Sequence, residues 1–157
     1  MIKIESYIKR DNEFILIDDF TGDVEDNYYV SGAFTLTVNG KEIFDLTHWD
    51  LVDQLWAYLI QHFEDVLSGA SMISKGYFPD QPLEIQVESL FKRTKLKIKL
   101  FDPIRPRQCV VETNEFIPVF CEAGENFLEK IKIANPTMVS SYQPLIIQLK
   151  NLKNMVN

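Results

Sequence analysis

The sequence predicts an α+β fold with one mostly antiparallel sheet of about six to seven strands, a long amphipathic helix after a hairpin, and two C-terminal helices. Three observations indicate this fold. Apolar and polar residues alternate in several short segments, as they do in half-buried strands. Residues 47–68 instead carry apolar side chains at three- and four-residue steps, and two segments near the C-terminus do the same. With 157 residues, 46% of them hydrophobic, the chain suits one domain, residues 1–157.

Two short strands open the chain. Residues 2–9 alternate, and after Arg10–Asn12 the apolar run of residues 14–17 resumes, which predicts a hairpin with a tight turn. Residues 21–27 contain a glycine and several acidic or amide side chains, so an exposed loop is expected there.

A second hairpin follows. Residues 28–38 are rich in aromatic and β-branched side chains, and Asn39-Gly40 is the dipeptide that best supplies the two positive φ angles of a type I′ turn. A two-residue turn fixes the register of the two strands. The expected pairs are Val38 with Lys41, Leu36 with Ile43, Phe34 with Asp45, and Thr35 with Phe44.

The long helix is predicted over Thr47–Ser68. Thr47 would be its N-cap with Asp50 three residues later, His48 would lie in its first turn, and Gly69 would terminate it. The apolar face comprises Trp49, Val52, Leu55, Trp56, Leu59, Phe63, Val66 and Leu67. The opposite face is expected to be exposed and acidic, with Asp50, Asp53, Gln54, Ala57, Gln61, Glu64, Asp65 and Ser68.

After this helix, residues 70–76 resemble a mobile loop, and Tyr77–Pro82 has the two prolines of an extended corner. Leu83–Ser89 and Thr94–Leu100 then alternate cleanly, which predicts a hairpin with the loop Leu90–Arg93. In that register the exposed pairs are Glu88 with Lys95, Gln86 with Lys97 and Glu84 with Lys99, and the core pairs are Val87 with Leu96, Ile85 with Ile98 and Leu83 with Leu100.

The C-terminal third adds one strand and two helices. Residues 108–112 are strand-like, and residues 116–133 step as a helix in which Pro118 and Gly124 permit a kink or a different start. A last helix starts near Ser140 or Ser141 and continues to the C-terminal end of the chain.

Catalytic and metal-binding motifs are absent from the sequence. His48 and His62 are fourteen residues apart and remote in sequence from Cys109 and Cys121, so no zinc-site spacing occurs. The six glycines are scattered singly, which excludes the familiar phosphate loops. We therefore expect no catalytic residue, no metal and no cofactor.

The N-terminal residues indicate a compartment. Charged side chains interrupt every apolar run there, so neither a signal peptide nor a transmembrane span is expected, and the cytoplasm is the predicted location. The two cysteines would then remain reduced and act as small buried hydrophobic residues.

The net charge of −7 is unevenly distributed. Residues 11–91 contain sixteen acidic residues against two lysines, whereas residues 92–157 contain eleven basic and six acidic residues. Such a field repels nucleic acid and anionic membranes and favours a basic protein partner, unless the acidic surface serves only solubility. The lysine stripe could suggest a nucleic-acid platform, but its members Lys95, Lys97 and Lys99 are placed opposite Glu84, Gln86 and Glu88. The oligomeric state is left open.

Aromatic and acidic side chains concentrate in the same half of the chain. Exposed aromatic side chains carry much of the binding energy at protein interfaces, and surrounding carboxylates would suit a basic partner. The candidate partner-binding residues are Tyr28, Tyr29, Asp50, Asp53, Glu64 and Asp65.

Three segments carry a resemblance. YYVSGAFTLTVNGKEIF, WDLVDQLW and FPDQP resemble, in that order, a set of uncharacterised small bacterial α+β proteins with a hairpin, a Trp-rich helix and an F-P-D-Q-P corner. This likeness covers about residues 28–88 and implies no activity. In size, acidity and lack of a catalytic motif, the chain is also similar in type to immunity proteins that neutralise bacterial toxins.

Two hypotheses follow. The first is a non-enzymatic protein-binding domain, in its sharpest version an acidic immunity-type inhibitor of a basic toxin. The alternative is a small enzyme or ligand-binding protein with a pocket between sheet and helix. That pocket would be lined by Trp49, Trp56 and Tyr77, with His48, Asp80 or Cys109 converging on it.

Overall fold

The computed structural model describes residues 1–156 and contains two antiparallel sheets, of five and four strands, with three α-helices. The predicted α+β class is confirmed. The expected single sheet of six to seven strands is wrong, because the chain starts a separate sheet after the first helix and does not extend the edge of the first sheet.

The first sheet has the strand order β2-β1-β3-β4, and β5 also pairs with β3. Its strands are β1 (Ile2–Arg10), β2 (Glu13–Leu16), β3 (Ser31–Val38), β4 (Lys41–Phe44) and β5 (Asp50–Leu51). The predicted first hairpin is confirmed: β1 and β2 pair directly, and Asp11 in the turn has a φ of 57°.

The turn between β3 and β4 has the predicted geometry but changes the register. Asn39 and Gly40 have φ angles of 50° and 82°, and Val38 pairs with Lys41 as expected. Leu36, however, pairs with Phe44, so the expected partner Ile43 lies at a β-bulge, and the pairs predicted beyond it are wrong. The bulge allows the consecutive side chains of Ile43 and Phe44 both to be buried.

The first helix, α1 (Val52–Leu67), begins later than predicted. Residues Leu46–His48 form a separate 3₁₀ turn, which is capped by the Asp45 side chain. The Thr47 backbone N–H donates to Asp45 Oδ1 over 2.9 Å, so Thr47 is not the N-cap of α1. The predicted apolar face is otherwise confirmed by complete burial of its central residues, except that Trp49 is 38% exposed.

The second sheet has the order β6-β7-β8-β9. Its strands are β6 (Ile73–Tyr77), β7 (Glu84–Leu90), β8 (Lys95–Phe101) and β9 (Arg107–Glu112). The predicted mobile loop over residues 70–76 is wrong, because β6 occupies most of it as an edge strand. The sequence of β6 shows no apolar alternation, because the side chain that this strand buries is that of Ser74 and because Gly76 faces the ring of His62.

The β7–β8 hairpin is confirmed, with both apolar faces as predicted, but its register is shifted by two residues. Val87 pairs with Ile98 and Glu88 pairs with Lys97. Phe91, Lys92 and Arg93 have positive φ angles of 49°, 55° and 67°, which places the turn one residue later than expected. An even shift leaves every side chain on its original face, so the alternation of the sequence could not detect it.

Two long helices complete the chain: α2 (Thr113–Ala134) and α3 (Val139–Asn154). α2 is continuous through Pro118, and it packs on β1, beside β9 and against α3. α1 packs on both sheets and on α3. None of the helices formed by residues 1–156 is long and apolar enough to span a membrane.

Trp56 lies where these elements meet. Its fully buried ring is 5.1 Å from that of Phe34 on β3 and 5.0 Å from that of Phe120 on α2. Its indole Nε1 donates to Ser6 Oγ on β1 over 2.9 Å. A methyl group built at Gly124 would lie 2.7 Å from the Leu149 side chain of α3 and 2.9 Å from the indole, so the glycine leaves room on α2 for both side chains.

Trp56→Ala should lower the free energy of unfolding by about 3–5 kcal/mol, because it removes the largest core side chain and leaves the Ser6 hydroxyl unpaired. Urea unfolding monitored by circular dichroism measures this. Trp49→Ala is the matched control, since the Trp49 ring is 38% exposed. An unchanged urea midpoint for Trp56→Ala would contradict this role in the core.

Candidate functional site

The structure separates the six predicted partner-binding residues. Asp50 and Asp53 are only 2% and 7% exposed, so the expectation that they lie on an exposed acidic helix face is wrong. Tyr28 and Tyr29 are 63% and 66% exposed. Glu64 and Asp65, half-buried, lie near the other end of α1; twelve residues separate Asp65 from Asp53, about 18 Å along the helix. The six residues therefore do not form one patch.

Asp50 fastens the start of α1 to the F-P-D-Q-P corner. Its Oδ2 accepts hydrogen bonds from the backbone N–H groups of Asp80 and Gln81, over 3.1 and 2.8 Å, and its Oδ1 accepts from Leu51 N over 2.6 Å. With its oxygens bonded to the backbone, Asp50 has a structural role, which explains its burial.

Asp53 belongs to a buried chain of hydrogen bonds. The Tyr142 hydroxyl of α3 donates to Asp53 Oδ2 over 2.7 Å, and Asn135 Nδ2 donates to the Tyr142 oxygen over 3.0 Å. Burial raises the pKa of the Asp53 carboxyl, an effect that the bond from Tyr142 opposes. Burial and the neighbouring Asp53 carboxylate raise the pKa of Tyr142 in turn. We call Asp53, Tyr142 and Asn135 the Asp53 network.

The Asp53 network holds the loop that carries the exposed tyrosines, residues 21–29, which we call the tyrosine loop. Asn135 Nδ2 also donates to the backbone oxygen of Asn27, over 3.0 Å. Nearby, Val24 N donates to the carbonyl oxygen of Ala134, the last residue of α2, over 3.0 Å. The loop is thus attached to the end of α2 at two points.

Asp26 fixes the two tyrosines within the tyrosine loop. Its Oδ1 accepts from the backbone N–H groups of Tyr28 and Tyr29, over 2.9 and 3.2 Å. The next residue, Val30, is buried, and its carbonyl oxygen accepts from Val52 N at the start of α1. Two exposed aromatic side chains therefore project from a backbone that is bonded on both sides.

The surroundings of the two tyrosines are acidic. Asp23, Glu25 and Asp26 are exposed in the same loop. Arg10 of β1 lies 3.6 Å from Glu25 and donates to the carbonyl oxygen of Asp23. The loop therefore combines exposed aromatic rings with a carboxylate excess, the composition that the sequence suggested for a basic protein partner.

Glu64 and Asp65 are engaged with neighbouring polar groups. Gln148 Nε2 donates to Glu64 Oε2 over 2.7 Å, and Gln61 Nε2 donates to Asp65 Oδ1 over 2.8 Å. Ser74 Oγ donates to Asp65 Oδ2 over 3.3 Å and lies 2.7 Å from His62 Nδ1. In this trio the hydroxyl lies between imidazole and carboxylate, whereas in a hydrolase triad the imidazole is central. Burial lowers the pKa of His62.

His48 does not lie in the first turn of the long helix, as predicted, but ends the 3₁₀ turn before it, and it is 2% exposed. Its Nδ1 accepts from Asp45 N over 3.0 Å, which leaves Nε2 as the donor to Asp102 Oδ2, 2.9 Å away. Asp45 also pairs with Arg107 over 2.8 Å. Although burial acts to raise it, bonds from Thr47 and Arg107 lower the pKa of Asp45 to about 2. This cluster joins the β4–α1 connection to the second sheet.

The remaining candidates for chemistry are dispersed. Burial raises the pKa of Cys109 to about 11 and that of Cys121 to about 12, so both thiols stay protonated at neutral pH.

Trp56 is fully buried, whereas Trp49 and Tyr77 are 38% and 65% exposed, so the three do not line the pocket that the alternative hypothesis requires. Within residues 1–156, no group of three or more His, Cys, Asp or Glu side chains could hold a metal ion.

Asn135 and Tyr142 are the site residues that sequence reasoning missed. Asn135 precedes a proline and was interpretable only as a helix end, and Tyr142 is an ordinary helix residue by its spacing.

No family model, curated protein or solved structure matches the chain.

Tyr142→Phe should destabilise the protein by about 1–3 kcal/mol at pH 7, because Asp53 loses a donor and Asn135 loses an acceptor. Urea unfolding measures the difference, and Tyr58→Phe on α1, where the ring is 41% exposed, is the matched control.

The same variant should show a pH signature. Without the bond that lowers it, the folded-state pKa of Asp53 rises further above the usual value of 3.8. A raised folded pKa reduces stability as the pH rises through the window between the unfolded and folded values. The free energy of unfolding that Tyr142→Phe loses relative to the wild type should thus be larger at pH 7 than at pH 4. An equal loss at the two pH values would contradict a link to Asp53.

Proposed function

We propose that this protein is a non-enzymatic protein-binding domain that uses the tyrosine loop to engage a basic protein, and that an immunity-type inhibitor of a basic toxin is the sharpest version of this function. The observation that carries the proposal is the pair of exposed tyrosines on a loop fixed by Asp26 and by the Asp53 network.

The fixed backbone supports binding on energetic grounds. Tyrosine provides a large contact area with few rotatable bonds, and a loop already held in place loses little entropy when it binds. An exposed tyrosine pair contributes little to the protein's own core, since Tyr28 and Tyr29 are each more than 60% exposed. A partner would bury these rings.

Charge supports a basic partner. Residues 11–91, which include the tyrosine loop, have sixteen acidic residues against two lysines. Complementary charge accelerates association and makes it dependent on salt. Asp50 and Asp53 take no direct part in this proposal, because they are buried, and Glu64 and Asp65 contribute to the field from a distance.

Affinity capture from the native cell is the first test. The full-length chain, immobilised at low and at moderate salt, should retain a basic protein whose recovery falls as salt rises. Recovering no partner at either salt concentration would count against the proposal.

Tyr29→Ala should then weaken binding of the captured protein by about tenfold or more, as the loss of an aromatic hot-spot residue does. Isothermal titration calorimetry with the purified pair measures this. Phe91→Ala is the matched control, because Phe91 is 72% exposed but lies in the β7–β8 turn. Equal effects of the two substitutions would place the interface elsewhere.

A further inference from the structure

A second candidate site lies at the opposite end of α2 from the tyrosine loop. A cleft of about 710 Å³ opens where the β7–β8 turn and the start of α2 meet the ends of α1 and α3. Its wall includes the basic residues Lys92 and Arg93, the hydroxyl residue Thr113, and the apolar residues Leu67, Met155 and Val156.

The start of α2 supplies backbone donors to this cleft. α2 has 22 residues, and in the described part of the chain no side chain caps its first turn. The backbone N–H of Thr113 donates to the carbonyl oxygen of Thr94 over 3.0 Å. The following N–H groups of a helix lack partners within the helix, and together with the helix dipole they attract an anion.

The Thr113 hydroxyl is an independent sign of a ligand. Thr113 is 5% exposed, and its Oγ1 has no hydrogen-bond partner among residues 1–156. Buried hydroxyl groups are almost always hydrogen-bonded, so an unpaired one in the wall of a cleft indicates a partner other than residues 1–156.

The charge of the cleft is opposite to that of the protein as a whole. Arg93 packs over Gly69 and donates to Leu67 O over 3.4 Å, which keeps its guanidinium at the C-terminal end of α1. Lys92 precedes it in the turn. The carboxylate on the wall, Glu112, lies 3.4 Å from Lys95 Nζ. Two basic residues thus line the same cleft as the start of α2, in a chain whose net charge is −7.

We propose that this cleft binds a small organic carboxylate with an aliphatic tail. The carboxylate accepts hydrogen bonds from the Thr113 hydroxyl and the first turn of α2, and Arg93 and Lys92 balance its charge. The tail packs on Leu67, Met155 and Val156. The site is separate from the tyrosine loop and does not rest on the proposed protein-binding function.

Titration of the full chain with sodium octanoate, followed by amide NMR, tests the proposal. We expect saturable one-to-one binding with shift changes at Thr113 and Arg93. Octan-1-ol lacks the charge and inorganic phosphate lacks the tail. Each should therefore bind at least about tenfold more weakly than octanoate. Octanol or phosphate binding as well as octanoate, or absence of saturation, would overturn the proposal.

Thr113→Val separates a ligand role from a structural one. Because the hydroxyl has no partner within residues 1–156, its replacement by an isosteric methyl group should leave the urea midpoint unchanged or raise it. The same change should weaken octanoate binding about tenfold, since a hydrogen bond to a charged group is lost. Arg93→Gln should weaken binding and reduce its salt dependence, whereas Lys75→Gln, at an exposed lysine on β6, should do neither. Octanoate affinity unaltered in both Thr113→Val and Arg93→Gln would refute the site.

Discussion

The rest of the core is arranged around the buried indole of Trp56, for which Gly124 on α2 leaves room, as it does for Leu149 of α3. The indole fills the space that a side chain at position 124 would need, and it reaches across to Ser6 on β1 through its Nε1. One ring therefore joins α1 to both α2 and the first sheet. Because interiors are packed as densely as crystals, a larger residue at position 124 would displace α2 from this indole and from Leu149. The ends of α2 in turn define the tyrosine loop and the cleft.

The tyrosine loop depends on the same helix that carries Trp56. Asp53 lies three residues before Trp56 on α1, and the hydrogen-bond chain through Tyr142 and Asn135 extends from it to the backbone of Asn27. Burying a carboxyl group costs stability unless its oxygens are bonded. In the Asp53 network the Tyr142 hydroxyl and the Gln54 N–H provide those bonds. An apolar side chain at this position would add more to the free energy of unfolding, but it would not fix the geometry of the tyrosine loop.

Local patterns predicted the elements well and their contacts poorly. The apolar face of α1 and the Asn39-Gly40 turn follow from periodicity and from backbone preferences, which are properties of neighbouring residues. Asp50 and Asp53 were placed on the wrong side because their burial depends on partners 30 and 89 residues away in sequence. The same holds for β6, since a Ser and a Gly facing His62 give no apolar alternation. The two exposed tyrosines were identifiable from sequence; the network that fixes them was not.

The two ends of α2 lie beside surfaces of opposite charge. The helix has 22 residues and is about 33 Å long, and its N-terminal end lies in the cleft with Lys92 and Arg93 while its C-terminal end anchors the acidic tyrosine loop. At physiological ionic strength the Debye length is about 8 Å, so charges at one end are screened from the other. An acidic protein can thus keep a locally basic site, and the two proposed binding surfaces are far enough apart to act on ligands of opposite charge without interfering.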